Sequence, residues 1–295
     1  MTYILYNPYS GNGSGKEQAE ICRLGIAEEN TMTDMTAIES YAAFFSGLSA
    51  YDRIMICGGD GTLNRFINDT DGLKITNEIY YFPTGTGNDF AADIGKKDCG
   101  EPFLINDYLR DLPSVTVKGK TYKFLNGVGY GIDGYCCEVG DELRRQNKPA
   151  NYTAIAIKGL LFHFKPVNAT VTVDGKEYLY KKVWLAPTMY GRRCGGGMIP
   201  TPGQERGAED KTLSVMLFHG SGRVHTLMIF PSIFQGKHVS HTKQVEVLTG
   251  KNITVKFDRP TPLQIDGETI LGVEEYTASV ASAKVENRQG TVVYQ

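Results

Sequence analysis

The chain has 295 residues, 41 % hydrophobic and 22 % charged, a balance that suits two packed domains and excludes a disordered chain. A formal net charge of -2 excludes an overall field that would draw it onto nucleic acid or an anionic membrane, so no nucleic-acid partner is expected and a membrane contact needs a local patch. Six cysteines without a CxxC pair and five histidines without zinc spacing argue for a reducing compartment and against a disulfide framework.

No cationic segment followed by an apolar run opens the sequence, and its longest apolar stretches are broken at Lys158, His163 or Pro231. The expectation is a soluble, cytoplasmic protein whose membrane contact is peripheral. Residues 3–6 predict a strand ending in a glycine-rich turn over 7–15, and residues 16–28 a helix weakened by Gly25. A helix over 40–48 precedes a buried strand over 53–57, a turn over 58–62 and a short helix from Leu63. Residues 78–82 read as strand, 83–87 as turn and 88–94 as helix. Three strand–turn–helix units in succession predict a parallel sheet covered by helices, with its ligand site beyond the carboxyl ends of the strands.

The pattern changes near Leu112. β-branched and aromatic runs over 169–173, 178–185, 213–218, 244–248 and 253–257 predict a mainly antiparallel β-sandwich, with Asp174-Gly175 as a hairpin turn. Helical stretches over 135–146, 152–164 and 223–235 interrupt it. The expected division is an α/β domain over 1–118, to which 281–295 returns, and a β-sandwich over 119–280.

Three polar turns end the strands of the first domain. The richest is Gly58-Gly59-Asp60-Gly61-Thr62-Leu63-Asn64. Glycines at a strand end let backbone N–H groups turn toward a phosphate. The chain has no GxxxxGK[ST] and no GxGxxG followed by a distant acid, which speaks against a Walker loop and a dinucleotide fold. An aspartate inside a phosphate loop repels its ligand unless a metal bridges the two or a proton must be handled. Read alone, the loop is equally a tight structural turn. The turn Gly85-Thr86-Gly87-Asn88-Asp89 repeats the pattern, with Asp89 also placed to cap a helix. Together with Asn7-Pro8-Tyr9-Ser10-Gly11, these turns favour a triphosphate-binding edge that uses a metal.

These three segments resemble the signature segments of the diacylglycerol kinase catalytic-domain family, whose GGDGT loop is shared with NAD kinases. Residues 126–133, ending in Asp133, resemble the family's asparagine–glycine turn, residues 190–198 its Gly-Gly-Gly-Met stretch, and Asp266-Gly267-Glu268 its acidic turn. The resemblance spans about residues 3–270. It implies an NAD-kinase-like parallel α/β domain followed by a β-sandwich, with catalysis in the cleft between them. The activity implied is transfer of the ATP γ-phosphoryl group to a membrane-lipid hydroxyl, with Mg²⁺. By carry-over, Asn7, Pro8, Tyr9, Ser10, Gly11, Gly58, Gly59, Asp60, Gly61, Thr62, Leu63, Asn64, Arg65, Thr86 and Asn88 belong to the ATP site, together with Thr36 in preference to Thr33. Asp60, Asp89 and Asp133 would organise Mg²⁺ and water. Asp266 and Glu268 hold the general base, with Glu268 favoured; the bland reading of that turn is a hairpin. Asp60, as an exposed loop acid, is expected to be removable without loss of the fold.

Some residues depart from the family pattern. Where members carry Asp-Gly-Leu-Leu-Asp around a structural Mg²⁺, this chain has Asp210-Lys211-Thr212-Leu213-Ser214. Asp210, with main-chain carbonyls near Gly207 and Thr212, would hold that ion, against the charge of Lys211. Arg65 replaces an acid, and Arg192-Arg193-Cys194 lengthens a glycine turn. A soluble NAD kinase is expected to carry Asn-Glu where this chain has Asn88-Asp89, and a catalytically silent ATP- or lipid-binding regulator is the other alternative. Arg144, Arg145, Lys148, Lys158 and Lys165 interleave with Leu160, Leu161, Phe162 and Phe164. That stretch reads either as an amphipathic helix covering the sandwich or as a peripheral membrane contact. A homodimer through an exposed edge strand is also compatible with the pattern.

Overall fold

The computed structural model describes residues 1–97, 100–146, 148 and 150–280, with two short strands at 285–286 and 292–293. In chain order the first unit runs β1 (Thr2–Tyr6), α1 (Ser10–Gly13), α2 (Gly15–Leu24), β2 (Asn30–Asp34), α3 (Tyr41–Ser46), β3 (Arg53–Gly58), α4 (Asp60–Asp69), β4 (Ile79–Pro83), α5 (Asp89–Asp93) and β5 (Phe103–Leu104). Its sheet has the order β2-β1-β3-β4-β5, parallel except for β5. Central β3 is a continuous buried run, as a strand covered on both faces requires. Leu5, Ile54, Ile56, Leu63, Phe66 and Phe90 pack in this core. Each buried side chain of that size contributes about 1.5–3 kcal/mol.

Strand β2 and helix α4 differ from the sequence expectation, as do α1, inside the turn expected over 7–15, and β5, for which the sequence predicts no strand. Strand β2, Asn-Thr-Met-Thr-Asp, is half-buried throughout, so its edge position shows no apolar alternation to read. Helix α4 begins at Asp60, three residues before Leu63, because Gly59 adopts extended backbone as its N-cap and an acid suits the first turn.

The second unit contains β6 (Ser114–Val117), β7 (Lys120–Lys123), β8 (Gly127–Tyr130), α6 (Ile132–Arg145), α7 (Tyr152–Lys158), β9 (Val167–Val173) and β10 (Lys176–Val183). It continues with β11 (Thr188–Met189), β12 (Leu213–Phe218), α8 (Arg223–Ile229), β13 (Val245–Gly250), β14 (Asn252–Ile265) and β15 (Glu268–Ser279). Ten strands form one antiparallel network, β13-β12-β11-β8-β14-β15-β6-β7 with β9 and β10 branching from β14. The long β14 pairs with β9 over Ile253–Phe257 and with β8 over Leu263–Ile265, with register shifts between. One strand thus serves both parts of the sandwich-like fold. The Asp174-Gly175 turn joins β9 to β10, both residues at positive φ.

Because β6 pairs with β15, the change of sheet falls before Ser114, earlier than the division at 118 read from the sequence. The return of 281–295 to the first domain lies outside the described residues. Within that span, β16 (Val285–Glu286) and β17 (Val292–Val293) pair with each other.

The helix expected over 152–164 divides. After α7 the backbone widens into a π turn over Gly159–His163. A Cβ at Gly159 would meet the Tyr135 ring at 2.7 Å and Ile132 at 2.8 Å, so α6 and this turn approach as closely as glycine permits. Leu160 is buried while Phe162 faces outward. Similarly, the stretch read over 223–235 is α8 followed by a 3₁₀ turn over Phe230–Gln235. Among the described residues, no helix is long and apolar enough to cross a membrane.

Candidate active site

The turns after β1, β2, β3 and β4 lie at the carboxyl ends of their strands, where an open α/β sheet takes its ligand. Gly59 and Gly85 come together: a Cβ at Gly85 would stand 2.6 Å from the Gly59 Cα, so the two loops form one backbone cradle. Asn88 follows at φ 50°, and its side-chain oxygen is buried without a partner among the described residues. After β1, Asn7 Oδ1 accepts the Tyr9 amide and Asn7 O the Ser10 amide, which shapes the turn through Pro8; Tyr9 is exposed. Thr36 donates its hydroxyl to Asp34 in the turn after β2.

The signature after β3 divides by burial. Leu63 is fully buried in the core, and Thr62 is buried. Asn64 donates to Asp266 Oδ2 at 2.9 Å. Arg65 is exposed and pairs with Asp69. Gly59, Asp60 and Gly61 remain at the loop surface, and Thr86 is exposed on the neighbouring turn.

Asp60 is no free loop acid. Its oxygens accept the amides of Asp89 and Phe90 at 2.9 Å each and the Asn126 side-chain amide at 3.1 Å, capping α5. Removing it is therefore expected to cost stability, which corrects the reading of Asp60 as dispensable for the fold. Asp89 accepts the Gly196 amide on Oδ2 at 2.7 Å, while its Oδ1 is buried with no hydrogen-bond partner. Burial and the nearby Asp60 charge push its carboxyl up to about 6. Asp133, in the first turn of α6, is raised by burial, opposed by a hydrogen bond from Gln264 Nε2 at 2.8 Å.

The acidic turn assigns its two members different work. Asp266, at φ 46°, accepts the amides of Leu125, Asn126 and Gly127, besides Asn64. Burial raises its carboxyl and those four donors oppose the rise. Such a saturated carboxylate is a clamp. Glu268 has no hydrogen bond or ion pair among the described residues, and its Oε1 lies 3.5 Å from where a Cβ at Gly61 would stand. Partial desolvation, then the Asp141 charge, raises its carboxyl.

Around Asp210 the structure places hydrogen bonds. Asp210 is exposed, the Thr212 carbonyl accepts Gln204 Nε2 at 2.9 Å, and Ser214 donates to Gln204 Oε1 at 2.6 Å. Lys211 pairs with Asp111 at 2.9 Å. Neither Asp210 with its neighbours nor Asp60, Asp89 and Asp133 form a metal cage: among the described residues, no three His, Cys, Asp or Glu are grouped to hold an ion.

A cavity of about 570 Å³ opens from the loops into the second unit. Asp60, Asp89 and Thr86 line one part of it, and Ile132, Ala156, Met198, Leu185, Phe230 and Phe234 supply an apolar wall. Sequence reading missed this wall, since its members come from α6, α7 and loops distant in the chain. It also missed Gln264, a buried polar residue at the end of β14, two positions before Asp266. Arg206, which joins Asp93 to Leu125 and Asn126, carried no local signal.

Two family models divide the chain between them: the diacylglycerol kinase catalytic domain over residues 1–107 and the YegS C-terminal NAD kinase beta sandwich-like domain over residues 126–285. A diacylglycerol kinase of Mycobacterium tuberculosis (strain CDC 1551 / Oshkosh) is 26 % identical over 87 % of this chain and 84 % of that one. A diacylglycerol kinase of Bacillus subtilis (strain 168) is 23 % identical over 90 % and 88 %. The crystal structure of a candidate diacylglycerol kinase from Bacillus anthracis str. Sterne covers 95 % of this chain and 91 % of its own, with TM-score 0.66 at 19 % identity, a likeness of fold. The chain belongs to the diacylglycerol kinase catalytic-domain family, a family of lipid kinases.

Proposed function

With membership of that family as premise, we propose that this protein transfers the γ-phosphoryl group of ATP to a hydroxyl of a diacylglycerol-like membrane lipid. One observation carries the reading: a single cavity is bounded by the acid-bearing glycine loops on one side and by an apolar wall on another. A phosphate donor suits the first and an acyl-bearing acceptor the second. The Gly59–Gly85 cradle presents backbone to the phosphates, and Glu268 beside Gly61 is the unencumbered carboxylate for the acceptor proton.

The donor set suits Mg²⁺, which binds through one or two carboxylates plus substrate phosphates rather than an all-protein cage. Asp89 would hold it, since its buried Oδ1 lacks a partner among the described residues. When bound, the ion offsets charge on the phosphates. Asp60 positions Asp89 and Phe90 through their amides, Gln264 fixes Asp133, and Asp266 holds the strand that carries Asn126 and Gly127.

The test is incubation with γ-labelled ATP, Mg²⁺ and either NAD or vesicles carrying diacylglycerol, phosphatidylglycerol, a sphingoid base or a polyprenol. Label on diacylglycerol supports the proposal. Label on NAD overturns it in favour of a nucleotide kinase, and ATP binding without label on any acceptor makes the protein a silent regulator.

A further inference from the structure

An exposed apolar row lies beside this cavity. Val224 and Met228 on α8 are 70 % and 75 % exposed. They are four residues apart on an α-helix and so share a face. The chain then tightens into the 3₁₀ turn, where Pro231 and Phe234, three apart, eclipse each other and continue an exposed row. Phe234 also lines the cavity, so the row leads to its mouth. Beside α8 the π turn presents Phe162, 69 % exposed, and Arg223 Nη1 donates to the Leu160 carbonyl at 2.7 Å, locking turn and helix together.

The two segments that carry this surface hold charge of one sign. Residues 143–173 and 219–245 contain no Asp or Glu, in a chain of net charge -2. Three of the five cations read from the sequence as a membrane contact are engaged: Arg144 pairs with Asp141 and Arg145 with Glu142, and Lys148 donates to Gln146. By contrast Lys158, Lys165 and Lys237 have no ion pair among the described residues.

We propose that the Val224–Met228–Phe162 surface inserts into the interface of an anionic bilayer, with Lys158, Lys165 and Lys237 on headgroups, so that the cavity mouth opens onto the membrane. Such a surface combines what interfacial binding needs, a few apolar side chains and unopposed cations. The proposal rests on the lipid-acceptor reading of the cavity. It assigns the docking to α8 and the π turn instead of to the basic end of α6.

Val224→Gln/Met228→Gln, Lys158→Gln/Lys165→Gln and wild type are compared for co-sedimentation with phosphatidylglycerol and phosphatidylcholine vesicles at low and moderate salt. Phosphoryl transfer is measured to a long-chain acceptor in vesicles and to a dispersed short-chain acceptor. The first variant is expected to lower partition onto phosphatidylglycerol about tenfold and to slow transfer in vesicles, with short-chain turnover kept. The second is expected to weaken phosphatidylglycerol binding in a salt-dependent way. Unchanged co-sedimentation of both variants overturns docking, as does a wild-type dimer, seen by analytical ultracentrifugation, that only Val224→Gln/Met228→Gln dissociates. Wild type that binds vesicles through Met228 and labels no lipid overturns the kinase reading and leaves docking standing.

Discussion

Asp89 gives its backbone amide to Asp60 Oδ2 at 2.9 Å, and the charge of Asp60 in turn helps push the Asp89 carboxyl up to about 6. The contact that caps α5 thus also tunes the acid in its first turn. Asp60→Ala should destabilise the protein by about 1–2 kcal/mol through the lost cap, and should lower turnover as well. Urea unfolding of Asp60→Ala that matches wild type would remove the capping role.

The raised Asp89 carboxyl sets a pH dependence with a definite sign. The fold prefers the protonated acid, so the contribution is complete below the unfolded pKa, about 4. It is lost as pH rises toward and through the folded value of about 6. The loss is on the order of 3 kcal/mol, and Asp89→Asn should be free of it. Urea midpoints from pH 4 to pH 7 check this. With Mg²⁺ added near pH 7, wild type should regain stability and Asp89→Asn should not. Parallel pH curves for the two proteins would show that Asp89 is not held above its ordinary range.

Asp266 and Glu268 separate structure from chemistry. Four N–H donors converge on Asp266, and Asp266→Asn aims an amide NH₂ into that set. It should destabilise by about 3 kcal/mol or more. Glu268→Gln touches no bonded partner, so its stability should stay within about 0.5 kcal/mol while turnover falls about 10²-fold. A folded, fully active Glu268→Gln protein would exclude it as the base.

The parallel sheet and the turns along its carboxyl edge were legible because strand, turn and helix follow one another within a dozen residues, as in the run from Arg53 through Asp60. What escaped depended on contacts the chain makes at long range. Asn64 and Leu63 stand in one signature, yet Leu63 faces the core and Asn64 reaches a carboxylate on β14's end. Thr36 follows an edge strand with no apolar period, so nothing local distinguished it from Thr33. The division of roles between Asp266 and Glu268 is set by which amides fold over them. The break of the 152–164 helix arises from Gly159 packing against α6, a tertiary constraint on a sequence that is locally helical.

Arg206 is one of the side chains that tie the two units at the site. It donates from Nε to Asp93 Oδ2 at 3.0 Å, from Nη2 to Asn126 Oδ1 at 3.0 Å, and to the Leu125 carbonyl. It lies over the rings of Phe90 and Tyr190 at 5.2 and 5.3 Å, and Asn126 passes the restraint on to Asp60. The Arg206 and Asp93 side chains are 7 % and 3 % exposed, so this is a desolvated pair, with Arg192 as the second cation on Asp93. Removing one member of such a pair leaves a buried charge undercompensated. Arg206→Met should therefore destabilise by about 3 kcal/mol. Adding Asp93→Asn should cost less than the sum of the two single changes, because the second removes the charge the first stranded. Arg206→Lys keeps the charge but not the planar fork that reaches three acceptors at once. It should recover much of the stability while turnover remains reduced with little change in KM, since Asn126 and Asp60 lose their restraint. Additive losses in the double variant, or full turnover in Arg206→Lys, would show that Arg206 neither pairs with Asp93 energetically nor positions the phosphate loop.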